Sequence, residues 1–388
     1  MSMEKVNIAI CVAHPIQHEI PLYQELAKIP SVNLTVLYFS DVGIGNFNVY
    51  GLKNISYGIP VLEGYNYKIL KNISPFKTYK LQFIAPDVTK ELAAGKFDKV
   101  ILYGYNSPTS IFVMRYCRKH NIPLYLRAEG ESVQPISSKK QRVRQLLLPR
   151  IFKRFDYFLA LCEANRSHYL EFGVTPEQVK FIPQTVNDEF FAGYDESNFD
   201  GLRNKYGITS DDIVFVYGSK QRADKRPMDA VKAFCELHGS VKAKLLMLSD
   251  GPLRKECEAY AKAHDKYTRI VFTGYIEFTE MRDLFGLSDV LIMTSFETIG
   301  ATLYQALFSG LAILSSDMVP GWLDLVKPGI NGLVYRAAWL DSLVKTITAM
   351  CESRELIETM KANSKQLSEQ YTSQLTAAKL AAELTNSH

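Results

Sequence analysis

The chain has 388 residues, enough for two domains of ordinary size, and its 47% hydrophobic and 22% charged residues are a globular balance with apolar mass for two cores. A formal net charge of +4 is too small to indicate a nucleic-acid partner. The six cysteines (Cys11, Cys117, Cys162, Cys235, Cys257 and Cys351) are scattered at no CxxC spacing, which speaks for reduced thiols and against a zinc site.

The opening segment MSMEKVNIAICVAHP enters a strand almost at once, without the apolar stretch and small-residue cleavage site of a signal peptide. No run approaches the ~18 apolar residues that span a bilayer. The expectation is a cytoplasmic protein. Strand-like runs follow at Val6–Val12, Leu34–Phe39, Lys99–Tyr103, Leu124–Arg127, Tyr157–Leu161 and Val179–Ile182. In the second half they recur at Ile213–Tyr217, Lys244–Leu248, Arg269–Phe272, Val290–Met293, Ala312–Ser315 and Gly332–Val334. Most are continuous aliphatic runs, the pattern of strands buried on both faces of a parallel sheet, and they alternate with amphipathic stretches. This predicts an α/β protein of two Rossmann-like doubly wound domains. The polar, turn-rich stretch Asn187–Arg203 has linker composition and sets the seam. The predicted domains are 1–190, 191–365 and a C-terminal helical segment 366–388 that packs back on the first domain.

Between them, residues 138–155 carry seven Lys or Arg and no acid. Val143, Leu146, Leu147, Ile151 and Phe155 are predicted to share one apolar side of a helix, kinked at Pro149. Such a basic amphipathic helix suits either an anionic membrane surface, as peripheral contact at the inner face of the cell membrane, or a packed helix with a solvated basic face.

The stretches richest in chemistry lie in the second half. Lys220 and Lys225 sit in a loop after a strand-like run, with Gly218, Ser219, Arg222 and Arg226, ahead of a helix near Pro227. Cations there neutralise a departing diphosphate, or form a solvated basic loop. Gly274 and Tyr275 end another strand, where an aromatic can stack on a nucleobase or sit in the core. Then Thr294-Ser-Phe-Glu-Thr-Ile-Gly-Ala-Thr places Glu297 in a turn and Gly300 before a helix starting near Ala301. A helix N-terminus after a strand offers unpaired amides and a positive dipole end to a diphosphate, though an ordinary strand–loop–helix unit has the same outline.

Taken in order, these segments resemble the retaining glycosyltransferases of family 4. The others that carry the resemblance are Asp156-Tyr-Phe-Leu-Ala-Leu-Cys, Phe181-Ile-Pro-Gln-Thr-Val-Asn, Ser249-Asp-Gly-Pro-Leu (a GxGP turn with Ser for the first Gly) and Gly329-Ile-Asn-Gly (a GxNG turn). The resemblance implies a GT-B fold, two Rossmann domains facing a cleft. It implies that Glu297, first acid of a Glu–seven residues–Glu motif, binds the donor sugar, and that Lys220 and Lys225 hold the diphosphate. The backbone amides of Ile299, Gly300, Ala301 and Thr302 would face the same phosphates, with Thr298 also at the donor. Gln305 stands where the second Glu bonds the ribose, which implies a weaker nucleotide grip. Val12-Ala-His-Pro-Ile-Gln-His-Glu is similar to a subgroup of the family, so His14 and Gln17 are expected in the cleft, as are Arg127 and Glu129 at the end of another strand. The expected activity is retaining transfer of a sugar from a nucleotide-diphosphate sugar to a hydroxyl on a glycan or lipid-linked acceptor, in surface polysaccharide or glycolipid assembly. No metal and no cofactor are expected, since no Asp-x-Asp pair occurs in the chain. The alternatives are a nucleotide-sugar epimerase of the same fold and a non-catalytic nucleotide-sugar binding subunit, which Gln305 would suit.

Overall fold

The computed structural model of the chain describes residues 5–44, 47–49, 52–55, 60–75, 82–129, 138–266, 268–296 and 299–385. The strands are β1 (Val6–Val12), β2 (Val32–Tyr38), β3 (Phe47–Val49), β4 (Leu52–Ile55), β5 (Asn66–Ile69), β6 (Lys99–Tyr103), β7 (Leu124–Arg127), β8 (Tyr157–Ala160), β9 (Val179–Phe181), β10 (Ile213–Tyr217), β11 (Ala243–Leu248), β12 (Ile270–Gly274), β13 (Val290–Met293), β14 (Ala312–Ser316) and β15 (Gly332–Tyr335). Every run expected to be a strand is one. The hairpin β3–β4 and the strand β5 are additions.

The chain divides into two compact units. The first gathers described residues up to Val186 with those from Thr372 onward, and the second runs from Asn187 to Tyr371. The first unit holds a seven-stranded sheet in the order β5-β2-β1-β6-β7-β8-β9, all pairs parallel. Its central strand shows why the apolar runs are continuous. Ala9 and Cys11 of β1 join one core, whereas Ile8, Ile10 and Val12 join another on the opposite face. The second core takes in the helix Ile20–Lys28 and, from the far end of the chain, Ala377, Leu380, Ala381 and Leu384 of the helix Ser373–Thr385.

The second unit holds a six-stranded parallel sheet in the order β12-β11-β10-β13-β14-β15. Every residue of β10, β11, β13 and β14 is buried. Counted along its own unit this is the order 3-2-1-4-5-6 of a doubly wound nucleotide-binding sheet.

Three expectations need correcting. Asn187–Arg203 is not a linker: Asn187 Oδ1 caps the helix Asp188–Ala192 by accepting from Phe190 N at 3.1 Å, and Asp195 Oδ1 accepts from Ser197 N at 3.0 Å. Phe190 stacks on Phe278 at 4.4 Å and Phe191 is 1% exposed. The polar residues that look like a linker are helix caps, which favour the same residue types. The boundary expected at 365/366 falls inside the helix Arg354–Ser368, and the chain leaves the second unit only after Tyr371. In the helix Ser138–Phe152 and the turn after it the apolar residues do not share one side: Leu148, Phe152 and, beyond the helix, Phe155 are buried with Ile151 packed beside them, while Val143, Leu146 and Leu147 are 53%, 61% and 50% exposed.

Candidate donor site

Ligands of doubly wound sheets bind outside the carboxyl ends of the strands, where the strand order reverses. In the second unit the reversal falls between β10 and β13. The loop 218–226 leaves β10 at that point, and the segment from Thr294 to the helix Ala301–Phe308 leaves β13 beside it.

The two are laced together. Gly218 lies so close to the helix start that a Cβ on it would sit 3.1 Å from Thr302 Cγ2 and 2.7 Å from the Phe285 ring, so only glycine fits. Thr294 Oγ1 lies 3.0 Å from the carbonyl of Lys225 and 2.8 Å from that of Arg226, and Phe296 N donates to Asp224 O at 3.0 Å. The Arg226 guanidinium sits 4.9 Å above the Phe296 ring. Gly300 takes φ +94° as the cap of the helix, a left-handed backbone that admits glycine readily. The Leu303 amide donates back to Gly300 O at 2.9 Å, and the amides of Ala301 and Thr302 ahead of it lie at the helix start, where a helix offers no intrahelical acceptors.

Four cations lie in this loop, one of which, Arg226, pairs with Asp229 at 2.7 Å. Burial holds the Lys220 ammonium below its usual range, and the charges of Arg222 and Lys225 press it down further. Arg222 pairs with Asp224 through Nε–Oδ1 at 2.9 Å and Nη2–Oδ2 at 2.6 Å. Burial acts to raise the Asp224 carboxyl, but the Arg222 hydrogen bond and charge outweigh it and leave it below the ordinary carboxylate range. With Arg226 paired to Asp229, Asp224 stands among Lys220, Arg222 and Lys225, an excess of positive charge in a loop packed on a helix N-terminus.

The neighbouring strand ends complete the floor. Gln221 is fully buried, its Nε2 donates to Ser249 O at 3.0 Å and its N–H to Asp250 O at 3.2 Å. Among the described residues its Oε1 accepts no hydrogen bond. Ser249, which replaces the glycine of the GxGP turn, takes φ +73°, a conformation that costs a side chain about 1–2 kcal/mol. It is bridged to Gly274, so Tyr275, 52% exposed, stands beside the same turn. Ile299 is buried and its carbonyl accepts from Gly321 N at 3.0 Å, which leaves its side chain a packing role. Ser219 is 9% exposed and Gln305 half-buried on the helix Ala301–Phe308. Glu297 and Thr298 lie outside the described residues. The Gly329–Gly332 turn is structural: Asn331 Oδ1 accepts from Lys327 N at 2.7 Å and Asn331 Nδ2 donates to Leu325 O at 2.9 Å.

In the first unit the corresponding reversal falls between β1 and β6. His14 and Gln17 follow β1 there. His14 Nδ1 pairs with Pro15 O at 2.9 Å, and burial, with the charge of His18 also contributing, lowers its pKa against the pull of that carbonyl. Such a ring is neutral near pH 7. Arg127 is not a cleft residue. It is 1% exposed, ion-paired with Glu19 at 3.0 Å, and donates to Ile182 O and Pro183 O at 2.9 and 3.1 Å. Tyr103 OH adds a 2.9 Å bond to Glu19. A buried arginine with four of its five N–H donors on a carboxylate and two carbonyls holds the backbone, and its burial keeps it from an acceptor sugar. Glu129, two residues beyond, is exposed. Glu19, Gln221 and Thr294 escape a reading by residue type, since each acts through partners distant in sequence, and Tyr217 does so because it reads as one more residue of a buried strand. Among the described residues no group of His, Cys, Asp or Glu is placed to hold a metal ion.

The fold is that of a pair of Rossmann-like units of the GT-B type, with a cation-rich loop packed on a helix N-terminus in the second. Residues 198–367 match the model of the family described as Glycosyl transferases group 1. The lipopolysaccharide 1,6-galactosyltransferase of Escherichia coli (strain K12) is 27% identical over 186 residues, 47% of this chain and 48% of that protein. The chain thus matches about half the length of this curated relative. Among solved structures, Anabaena Alr3699/HepE in complex with UDP superposes with TM-score 0.75 at 17% identity, covering 98% of this chain and 100% of that one. The same protein in complex with UDP-glucose gives 0.72 at 15% identity, covering 98% and 99%.

Proposed function

We propose that the chain is a retaining, metal-independent glycosyltransferase that moves a sugar from a nucleotide-diphosphate sugar to a hydroxyl of a glycan or lipid-linked acceptor, in the assembly of a surface polysaccharide or glycolipid. The observation that carries this is that the loop bearing Lys220, Arg222 and Lys225 packs through Gly218 against the start of the helix Ala301–Phe308 at the point where the second sheet reverses. The group 1 match over that same unit, and the UDP complexes of HepE, support a nucleoside diphosphate as the anion.

In this reading the bond between the anomeric carbon and the donor phosphate breaks, and the electron pair leaves with the nucleoside diphosphate. Lys220, Lys225 and the helix end stabilise that charge as it develops. They supply positive potential that a divalent cation gives elsewhere. Glu297 orients the donor hydroxyls, as the family resemblance implies. The acceptor oxygen bonds to the anomeric carbon on the face the phosphate leaves, and its proton passes to the departing phosphate. Gln305 bonds the ribose without charge, which contributes roughly 0.5–1.5 kcal/mol against ~1.5–3 for a carboxylate.

Exposed Val143, Leu146 and Leu147, with Arg142, Arg150 and Arg154 around them, support peripheral contact with an anionic membrane bearing the acceptor. No described helix is long and apolar enough to cross a membrane.

The test is a product assay with UDP-sugars in chelator. The expected product keeps the donor's anomeric configuration, and Lys225→Ala lowers kcat/KM by about two orders of magnitude, as loss of a preorganised charge does. Conversion of the donor without any acceptor favours the epimerase; binding without turnover favours the non-catalytic subunit.

A further inference from the structure

We propose that Thr294 and Tyr217 are positioning residues for Lys225, two buried hydroxyls that hold its backbone carbonyl so that its ammonium stays at the diphosphate. The proposal rests on the reading of the site as a nucleoside-diphosphate site, and names which residues outside it set its geometry. The loop around Lys225 needs holding. Ala223–Lys225 is a single 3-10 turn, and Arg226 directly after it takes φ +49°, ψ +50°. A left-handed arginine is strained and persists only where its surroundings impose it. The reversal at Arg226 also caps the helix Pro227–Glu236, so the chain turns sharply after presenting Lys225.

Two side chains impose that turn from below. Tyr217, the last residue of β10, donates its OH to Lys225 O at 2.8 Å. Thr294, the first residue past β13, shares its one proton between Lys225 O at 3.0 Å and Arg226 O at 2.8 Å. Both residues are 1% exposed. The Lys225 carbonyl thus accepts from the two strands between which the sheet order reverses. Removing either donor leaves a buried carbonyl under-satisfied and frees the strained turn to relax. Neither hydroxyl has a reason to touch substrate; each acts through Lys225. Because Phe296 N also bonds Asp224 O, the same lacing fixes the segment that leads to Glu297.

The experiment measures UDP and uridine binding to the full chain by ligand-observed NMR and calorimetry. The variants are Thr294→Val, Thr294→Ser, Tyr217→Phe, Lys225→Ala and the double variant Thr294→Val/Lys225→Ala. The expected result is that Thr294→Val and Tyr217→Phe weaken UDP about tenfold or more, leave uridine unchanged, and that Thr294→Ser restores UDP binding. In the Lys225→Ala background, Thr294→Val then costs nothing further, because the lysine it positions is gone. If Thr294→Val fails to fold, Tyr217→Phe alone, in the same two backgrounds, decides. UDP binding unchanged in the folded variants, equal losses for UDP and uridine, or full additivity with Lys225→Ala each overturn the proposal while leaving the site's reading intact. A wild-type protein that binds neither UDP nor any other nucleoside diphosphate overturns the reading and the proposal with it.

Discussion

Lys220 is a lysine kept among like charges in a half-buried place, and that has a pH signature. Burial first, then Arg222 and Lys225, lower its pKa, so it sheds its proton at a lower pH than an ordinary lysine. On the proposed function, its pull on a diphosphate is complete below that lowered value and fades as pH rises through it. UDP affinity should therefore weaken on the alkaline side earlier than an unperturbed lysine allows. Lys220→Arg, whose guanidinium stays charged, should flatten that part of the curve. Calorimetric titration of both proteins from neutral pH upward checks this; parallel curves would remove Lys220 from the anion. The same scale shows what residue type reveals. A lysine after a buried strand suits a phosphate role, and it suits a solvated basic loop equally; residue type alone does not choose. Arg127 also ends a strand, yet its partner Glu19 lies 108 residues earlier, and nothing in Leu-Tyr-Leu-Arg records that pairing. Ser249 is the intermediate case: the turn is recognisable, but the cost of its positive φ is visible only in the backbone.

At the scale of elements, legibility follows burial. β10, β11, β13 and β14 are buried throughout and read as unbroken aliphatic runs. β5, Asn66-Tyr-Lys-Ile, is exposed at all four positions and lies at the sheet edge, so it carries no apolar run and no alternation to find. The helix Ser138–Phe152 was legible as helical and basic, but not in which apolar residues face the core, because Leu146, Leu147 and Leu148 are consecutive and only packing chooses among them. That choice separates two outcomes. Leu148→Ala should cost about 2–5 kcal/mol of stability, as buried leucines do, seen as a lowered denaturant midpoint. Leu146→Glu with Leu147→Glu should leave stability within about 0.5 kcal/mol but abolish sedimentation with anionic vesicles at low salt. Wild-type protein that stays in the supernatant at low salt would end the membrane proposal and leave the stability contrast standing.

At the scale of the molecule, the chain passes from the first unit to the second at Val186/Asn187 and returns at Tyr371/Thr372. The returning helix Ser373–Thr385 is not a decoration. Leu380 and Leu384 are 0% exposed in the same core as Ile8, Ile10 and Leu22, and Ser373 Oγ donates to Val186 O at 3.1 Å. Deleting residues 372–388 should therefore strip hydrogen-exchange protection from β1 and β2 while β10 and β11 keep theirs. Equal protection in both sheets would show that the first core closes without the helix. The two-unit plan is readable in the restart of the strand pattern after residue 200, and the return of the C-terminal helix to the first unit is expected from the sequence, but its crossing point at Tyr371/Thr372 is not, since no break in composition marks it. This interleaving also bears on synthesis. A ribosome delivers the whole of the second unit before the piece that seals the first, so the portion begun earliest is finished last. Until residues 373–385 emerge, the apolar face over the helix Ile20–Lys28 stays bare, and the nascent protein is then most in need of a chaperone's shelter.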